Sequence, residues 1–234
     1  MPRKRAMLNV ERVTSPSLPD LIADRLRQAI IEGQIREGEQ LVEPDLVERF
    51  GASRPTVREA LQRLVQEGLL TAIPHRGVFV TTISPEDIVD IYNARRTVES
   101  SAAVSLVKDP APEVMAQLRV EYAAMVEAFR VGAKSDITAA DQRFHEALVS
   151  GLRNRRLLKA SRTFLVETRL CLARLEGRYP FSQTAVDEHL DIIRAIERRD
   201  IMGVMKAVDD HMDNAIALQQ KTWDPAEDAA RASV

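Results

Sequence analysis

The chain has one cysteine, Cys171, among 234 residues. A single cysteine excludes an internal disulfide and favours a protein of the reducing cytoplasm. No apolar run approaches the roughly 20 residues that a membrane-spanning helix requires. The first 17 residues, MPRKRAMLNVERVTSPS, are basic but lack the apolar core of a secretory signal. We therefore expect a cytoplasmic protein with no membrane span, in which Cys171 is a small core residue among apolar helix formers.

The chain also lacks a strong charge of either sign, because its net charge is −2. Charge alone therefore does not indicate a nucleic-acid partner, and the placement of individual arginines has to decide that question. The basic cluster Arg3–Lys4–Arg5 is interpreted as part of a flexible arm over residues 1–17, with backbone phosphate contact as the alternative. Residues 223–234 contain little apolar surface to bury and are predicted to be a disordered tail.

The sequence pattern changes near residue 83, from short helical segments and a β-rich segment to a series of long helical segments. This change predicts two domains. After it, apolar residues recur at three- and four-residue spacing between turn signals such as KDPAPE and VGAKSD. This pattern predicts helices at about 85–107, 112–132, 135–151, 155–177, 182–199 and 201–222. Because each helix has an apolar stripe, the six are expected to pack as an antiparallel bundle over residues 85–222.

Residues 18–82 contain shorter predicted elements, in an order typical of a winged helix-turn-helix. LPDLIADRLRQAIIEGQI predicts one helix with Leu21, Ile22, Leu26, Ile30 and Ile31 on its apolar side. EPDLVERFG predicts a short second helix that ends at a glycine, and ASRPTVREALQRLVQEGLL predicts a third. The following LLTAIPHRGVFVTTI is rich in β-formers and predicts a hairpin, the wing. The fold class is therefore mainly α.

The third helix of this domain carries the candidate DNA-reading residues. Four polar residues lie at its start: Ser53, Arg54, Thr56 and Arg58. In a helix-turn-helix these positions face the major groove, where arginine binds guanine with two parallel donors. Ser53 and the free N–H groups of the helix start suit a phosphate. The alternative is a surface helix whose arginines pair with Glu59 and Glu67.

The segment GASRPTVREALQRLVQEGLLTAIPHRGVFV resembles the winged helix of the GntR family of bacterial transcription regulators, and the lead-in AIIEGQIREGEQLVEPDLVERF resembles the same family. The resemblance implies that Arg54 and Arg58 touch double-stranded DNA, as does the wing tip, His75, Arg76 and Gly77. One departure is Pro44, which stands where the family often has an arginine. That position cannot supply a charged DNA contact.

The three histidines outside the wing form a second candidate site. Asp141 and His145 lie one helical turn apart, and His189 and His211 follow on two later helices. Apolar neighbours such as Phe144 place these histidines near the inward faces of their helices. A first-row metal could bind all four side chains, whereas a single buried histidine is more often satisfied by one hydrogen bond. The spacing leaves both interpretations open.

Residues 85–222 resemble the helical FCD ligand-binding domain of the FadR-type branch, and six predicted helices resemble its VanR-like subgroup. The resemblance implies a divalent metal on Asp141, His145, His189 and His211. Zinc is the first choice, with nickel or manganese as alternatives, since the donor set does not distinguish them. Arg95 and Glu99 match the family pattern for a carboxylate effector site, although an ordinary Arg95–Glu99 pair is equally consistent.

Three further polar residues of this domain have predicted roles. Arg169 and Arg174 are candidates to line it, and Asn154 is interpreted as the cap of the fourth predicted helix. The alternative to effector binding is a purely structural metal. A hydrolase is disfavoured, because H-E-x-x-H is absent and no glutamate stands three residues before a histidine. We predict a homodimeric regulator, most often a repressor, on a palindromic operator, and not an enzyme.

Overall fold

The structure, a computed structural model, describes residues 16–175 and 182–223. Its elements in chain order are α1 (Leu18–Ile31), β1 (Gln40–Leu41), α2 (Glu43–Phe50), α3 (Arg54–Gln66), β2 (Leu70–Ile73), β3 (Gly77–Val80), α4 (Pro85–Lys108), α5 (Pro112–Val131), α6 (Lys134–Ser150), α7 (Arg155–Leu175), α8 (Gln183–Glu197) and α9 (Ile201–Lys221). The predicted mainly α architecture is confirmed. The basic cluster Arg3–Lys4–Arg5 and the tail after residue 223 lie outside the described residues. No described helix combines the length and apolarity needed to cross a membrane.

The first three helices form the helix-turn-helix. Ser53 caps α3 by accepting a hydrogen bond from the Thr56 amide, and Gly51 ends α2 in the left-handed conformation at φ 58°. Val57 and Leu64 of α3 are fully buried against α1. These local signals hold α3 at a fixed angle on a small core, so its outer face is available for a partner.

The first helix is shorter than the sequence predicts. We expected it to continue through Ile35, but it ends at Ile31 because Gly33 takes a left-handed φ of 70°. The prediction that Leu21 lies on the apolar side was also wrong, since 46% of this residue is exposed. Ile22, Leu26 and Ile30 are buried as predicted.

The wing is part of a three-stranded sheet of order β1-β3-β2. The predicted hairpin pairs Leu70 with Val80 and Ile73 with Gly77. Strand β1, which the sequence analysis did not predict, pairs Gln40 with Phe79 in antiparallel register. A two-residue strand carries too little periodicity to be recognised from sequence, and its pairing is decided by the neighbouring strand.

The described part of the second domain contains six helices, and α4 lies at their centre. Ser84 and Asp87 form a capping box at its start, and its residues Ile88, Tyr92, Ala102 and Leu106 are buried. Helices α6, α7, α8 and α9 all contact α4, so side chains from four helices face it. The predicted helix limits agree within two residues where described, while residues 176–177 of the fourth lie outside the described part.

The two domains meet where α7 passes the helix-turn-helix. Helix α1 contacts α7. The turn at Gly68 also lies close to α7, since a Cβ added to Gly68 would stand 3.1 Å from Cγ2 of Thr163. Helix α7 therefore touches the DNA-reading domain directly.

Candidate metal centre and nucleic-acid interface

Four side chains from three helices converge inside the bundle. Asp141 and His145 come from α6, His189 from α8 and His211 from α9, and one ligand atom of each lies within 4.8 Å of all the others. The Nε2 atom of His145 stands 3.3 Å from Nε2 of both other histidines. Donors about 2.0–2.1 Å from one ion stand roughly 3.0–3.4 Å apart at adjacent coordination positions. The arrangement therefore has the dimensions of a metal site.

The opposite ring nitrogen of each histidine has a fixed partner. Nδ1 of His145 lies 2.7 Å from Oε2 of Glu99, and Nδ1 of His211 lies 2.8 Å from Oε2 of Glu188. Nδ1 of His189 lies 3.0 Å from the carbonyl oxygen of Ala185. When Nδ1 donates to these acceptors, each Nε2 keeps a lone pair directed at the common centre. Sequence analysis missed Glu188, and no pattern in the chain signals its role.

The pKa shifts of the Asp141 and His211 side chains favour the charge states that bind a cation. Burial disfavours a charge on Asp141, but His145 and His189 outweigh burial and hold its pKa well below the usual range. Burial and the neighbouring imidazoles lower the pKa of His211, so it stays neutral. Burial lowers the pKa of His145, yet Glu99 and Asp141 raise it overall. One carboxylate and three imidazoles form the donor set of a first-row divalent metal.

Arg95 and Glu99, the candidate effector residues, differ in how fully their side chains are hydrogen-bonded. Glu99 is 1% exposed and lies between two partners, with Oε1 accepting from Nε of Arg95 at 2.8 Å and Oε2 facing His145. Burial raises the pKa of Glu99, but Arg95 and His145 lower it to about 2. Arg95 also donates to Thr168 through Nη1 at 3.4 Å, while its buried Nη2 has no hydrogen-bond partner. Of these two residues, Arg95 is the one that has a donor without a partner.

A cavity of about 310 Å³ adjoins the cluster and is lined by residues of all six helices of the bundle. Arg95, Asp141, His189 and His211 form part of its wall. Arg169, considered for this cavity, lines instead a second cavity of about 360 Å³ between α1, α6 and α7. The side chain of Arg174 lies outside the described part of the chain. Asn154 caps α7 as predicted, accepting from the Arg156 amide at 3.0 Å.

The candidate DNA-reading residues lie together on one exposed face. Arg54 and Arg58 are exposed one turn apart on α3, beside Ser53 and Thr56, whose hydroxyls lie 2.8 Å apart. Arg58 pairs with Glu43 of α2, with Nε–Oε2 at 3.2 Å and Nη2–Oε1 at 3.1 Å. The alternative partners for the arginines of α3 were Glu59 and Glu67. Glu59 does bind Arg63 of the same helix, whereas Glu67 binds Arg27 of α1.

The wing tip forms a tight turn between β2 and β3. His75 has a left-handed φ of 62° and Gly77 a φ of 116°. Nε2 of Gln40 donates to the Arg76 carbonyl at 2.8 Å, and a Cβ on Gly77 would stand 2.7 Å from that same nitrogen. The backbone conformation at position 77 therefore favours glycine, and a larger residue would also displace the Gln40 side chain. His75 and Arg76 are exposed at the tip.

Comparison with known proteins agrees with this geometry. Residues 19–80 match the model of the gntR family of bacterial regulatory proteins, and residues 90–214 match that of the FCD domain. The chain belongs to the GntR family. It is a DNA-binding transcriptional regulator with an FCD domain, and the families and relatives it matches are regulators, not enzymes. Its membership of the VanR-like subgroup stays a prediction.

Individual relatives cover different shares of this GntR regulator. An HTH-type transcriptional regulator of Agrobacterium vitis is 38% identical over 128 residues, 53% of this chain and 75% of that protein. The gluconate operon transcriptional repressor of Bacillus licheniformis is 25% identical over 86% of this chain and 85% of its own length. A GntR transcriptional regulator structure from Rhodococcus sp. RHA1 has 27% identity and a TM-score of 0.76, covering 88% of this chain and 99% of that one. Escherichia coli McbR/YncC shares the fold at 22% identity and a TM-score of 0.76, over 90% and 100% of the two chains.

Proposed function

We propose that this GntR regulator represses transcription as a homodimer on a palindromic operator, and that a small carboxylate bound at a metal ion in the FCD domain controls operator binding. The observation that carries the proposal is the convergence of Asp141, His145, His189 and His211, with each imidazole held by a partner on its other nitrogen. In this proposal residues 18–82 bind DNA and residues 85–222 bind metal and effector.

Zinc is the metal that we propose first, with nickel and manganese as alternatives. The nitrogen-rich donor set suits all three, and the ligand spacing suits a first-row divalent ion. When bound, the metal supplies positive charge that attracts an anionic oxygen. The cavity beside the four ligands gives a small molecule access to that charge.

The proposed role of Arg95 is to orient the effector carboxylate. Its Nη2 is a buried donor without a partner, and an unsatisfied buried donor is costly unless a ligand completes it. Glu99 fits a different role from the one first considered. Its carboxylate neutralises Arg95 and holds His145, so we assign it to positioning of the metal ligand rather than to effector contact.

Helices α6 and α7 are the proposed route from effector to DNA, because they form a wall between the two cavities. Thr168 faces the effector cavity and binds Arg95, while the next residue, Arg169, faces the cavity beside α1. A ligand that moves α7 therefore changes the contact with the DNA-reading domain. It shifts the population of interdomain arrangements only by its differential affinity for them.

The proposed DNA contacts are Ser53, Arg54, Thr56 and Arg58 on α3, and His75, Arg76 and Gly77 at the wing tip. Six of these seven residues are exposed and Thr56 is half-buried, which supports this assignment. Two copies related by two-fold symmetry would place one α3 in each half-site of a palindrome. Repression is also supported by the gluconate operon transcriptional repressor, a relative over most of the chain.

A purely structural metal is the second candidate, and the burial of all three histidines favours it. Structural zinc sites are usually closed by four protein ligands, as here. The two candidates differ in one measurement. Metal-loaded protein with an effector site responds to small carboxylates in a thermal-shift screen, whereas a closed structural site gives no response.

The metal is tested by His189→Ala, with His75→Ala as the matched control at the wing tip. We expect about one metal per chain in the native protein and in His75→Ala, and clearly less in His189→Ala, by elemental analysis. Operator binding is measured by fluorescence anisotropy on duplexes that the protein selects from a random pool. Full metal occupancy in His189→Ala would refute the assignment of this ligand.

A further inference from the structure

The effector cavity has one polar end and an apolar body. Its polar end includes Arg95 and three of the proposed metal ligands, Asp141, His189 and His211. The rest of its wall includes six apolar residues: Met125, Ile137, Leu172, Val186, Ala215 and Leu218. A ligand held by its carboxylate at the polar end must therefore place its remaining atoms against apolar side chains.

Several polar side chains also line the cavity, among them Tyr92, Ser182, Thr184 and Asn214, and one of the polar residues far from the metal site is a buried amide, Gln219. Gln219 lies eight residues after His211 on α9, which is about 12 Å along the helix axis. The two residues share a face of the helix, and both line the cavity. Gln219 is 3% exposed and its side chain stands beside the Tyr92 hydroxyl, but its buried Nε2 makes no hydrogen bond of standard geometry. An unsatisfied buried donor on a cavity wall indicates an acceptor on the ligand.

The volume limits the size of that ligand. A dry apolar cavity of roughly 150 Å³ accepts one benzene molecule. The cavity of about 310 Å³ therefore has room for about twice as many non-hydrogen atoms, roughly a dozen. A carboxylate with one ring or a medium alkyl chain fills it, whereas acetate or pyruvate leaves most of the apolar wall uncovered.

We infer that the effector is a monocarboxylate with an apolar body that ends in a single hydrogen-bond acceptor, and that Gln219 binds this acceptor. The inference rests on the proposed function, because it assumes that the carboxylate binds beside the metal. It disfavours polyhydroxylated acids, because only part of the wall carries polar side chains. Each hydroxyl placed against Met125, Leu172 or Leu218 would lose its water without gaining a partner, which weakens binding by about tenfold.

The experiment uses isothermal titration calorimetry on the full-length, metal-loaded protein. The probes are 3-phenylpropanoate, 3-(4-hydroxyphenyl)propanoate and gluconate, which are of similar size. We expect 3-phenylpropanoate to bind at least about a hundredfold more tightly than gluconate, since several gluconate hydroxyls would be unsatisfied. The 4-hydroxy compound should bind about fivefold more tightly again, because its oxygen accepts from Gln219.

Gln219→Leu tests the residue, and Gln220→Leu on the adjacent exposed position is its matched control. Gln219→Leu should reverse the preference, so that the compound without the hydroxyl binds more tightly, while Gln220→Leu keeps the native order. Gluconate binding as tightly as 3-phenylpropanoate would overturn the inferred class. An unchanged preference in Gln219→Leu would overturn the role of Gln219. If no carboxylate binds although the metal is present, the proposed effector function itself is refuted.

Discussion

The substitution Glu99→Gln separates the two tasks that one buried carboxylate performs. Glu99 neutralises Arg95 and holds Nδ1 of His145 at 2.7 Å. Glutamine keeps the shape and one carbonyl oxygen but removes the negative charge. We therefore expect two independent losses, one in the stability of the metal-free protein and one in metal affinity.

The magnitudes follow from burial. Arg95 and Glu99 are 3% and 1% exposed, so solvent does not screen the charge that remains on Arg95. Removing one partner of a buried pair costs about 3–5 kcal/mol, and we take the lower end because glutamine still accepts a hydrogen bond. For a chain of this size about 3 kcal/mol lowers the unfolding midpoint by about 6–12 °C. Loss of the carboxylate that orients His145 should weaken metal binding about 10–100-fold.

Glu188→Gln is the matched control for this experiment. Glu188 makes the same kind of contact, with Oε2 at 2.8 Å from Nδ1 of His211, but it neutralises no buried arginine. Its other partner is the Asn214 amide, which donates to Oε1 at 2.7 Å. Metal affinity should fall about as much as in Glu99→Gln, while the midpoint of the metal-free protein should fall by less than about 4 °C.

The assays are thermal unfolding of chelator-treated protein, followed by circular dichroism, and calorimetric titration with zinc. Equal destabilisation of the two metal-free variants would refute the claim that Arg95 makes Glu99 essential for stability. Native metal affinity in both variants would refute the positioning role of the carboxylates.

Three further predictions concern other parts of the molecule. Glu43→Gln should tighten operator binding by up to about 1 kcal/mol, because it releases the exposed Arg58; weaker binding in an anisotropy titration would contradict this. Arg169→Ala should leave metal content and effector affinity unchanged but reduce the effector's influence on the operator Kd, and a native ratio of Kd values with and without 3-phenylpropanoate would count against the α6–α7 route. The metal-free protein should be most stable near pH 6.5 in urea unfolding. The raised pKa of His145 contributes stability that is lost as pH rises from 6.5 through its folded value, and the lowered pKa of His211 contributes stability that is lost as pH falls below 6.5. A monotonic profile between pH 5 and 8 would refute this assignment.

Local signals in the sequence were sufficient for most of the fold. Caps such as Ser53 and Ser84, the terminating Gly51 and the 3.6-residue apolar period act over one or two turns, so they can be recognised in a single chain. The early end of α1 was missed because Gly33 is tolerated in a helix, and only its φ of 70° shows that the helix has stopped. The short strand β1 is decided by its neighbour.

By itself the sequence determined that Asp141 and His145 share a helical face, because four residues span one turn. Only the tertiary structure decided that Glu99, 46 residues before His145, holds that imidazole, and that Glu188 holds His211. It likewise separated Arg95 from Arg169, which line different cavities. The physical reason is that helical periodicity specifies the face on which a side chain lies, whereas the rotation and depth of one packed helix against another depend on how all the buried side chains fit together.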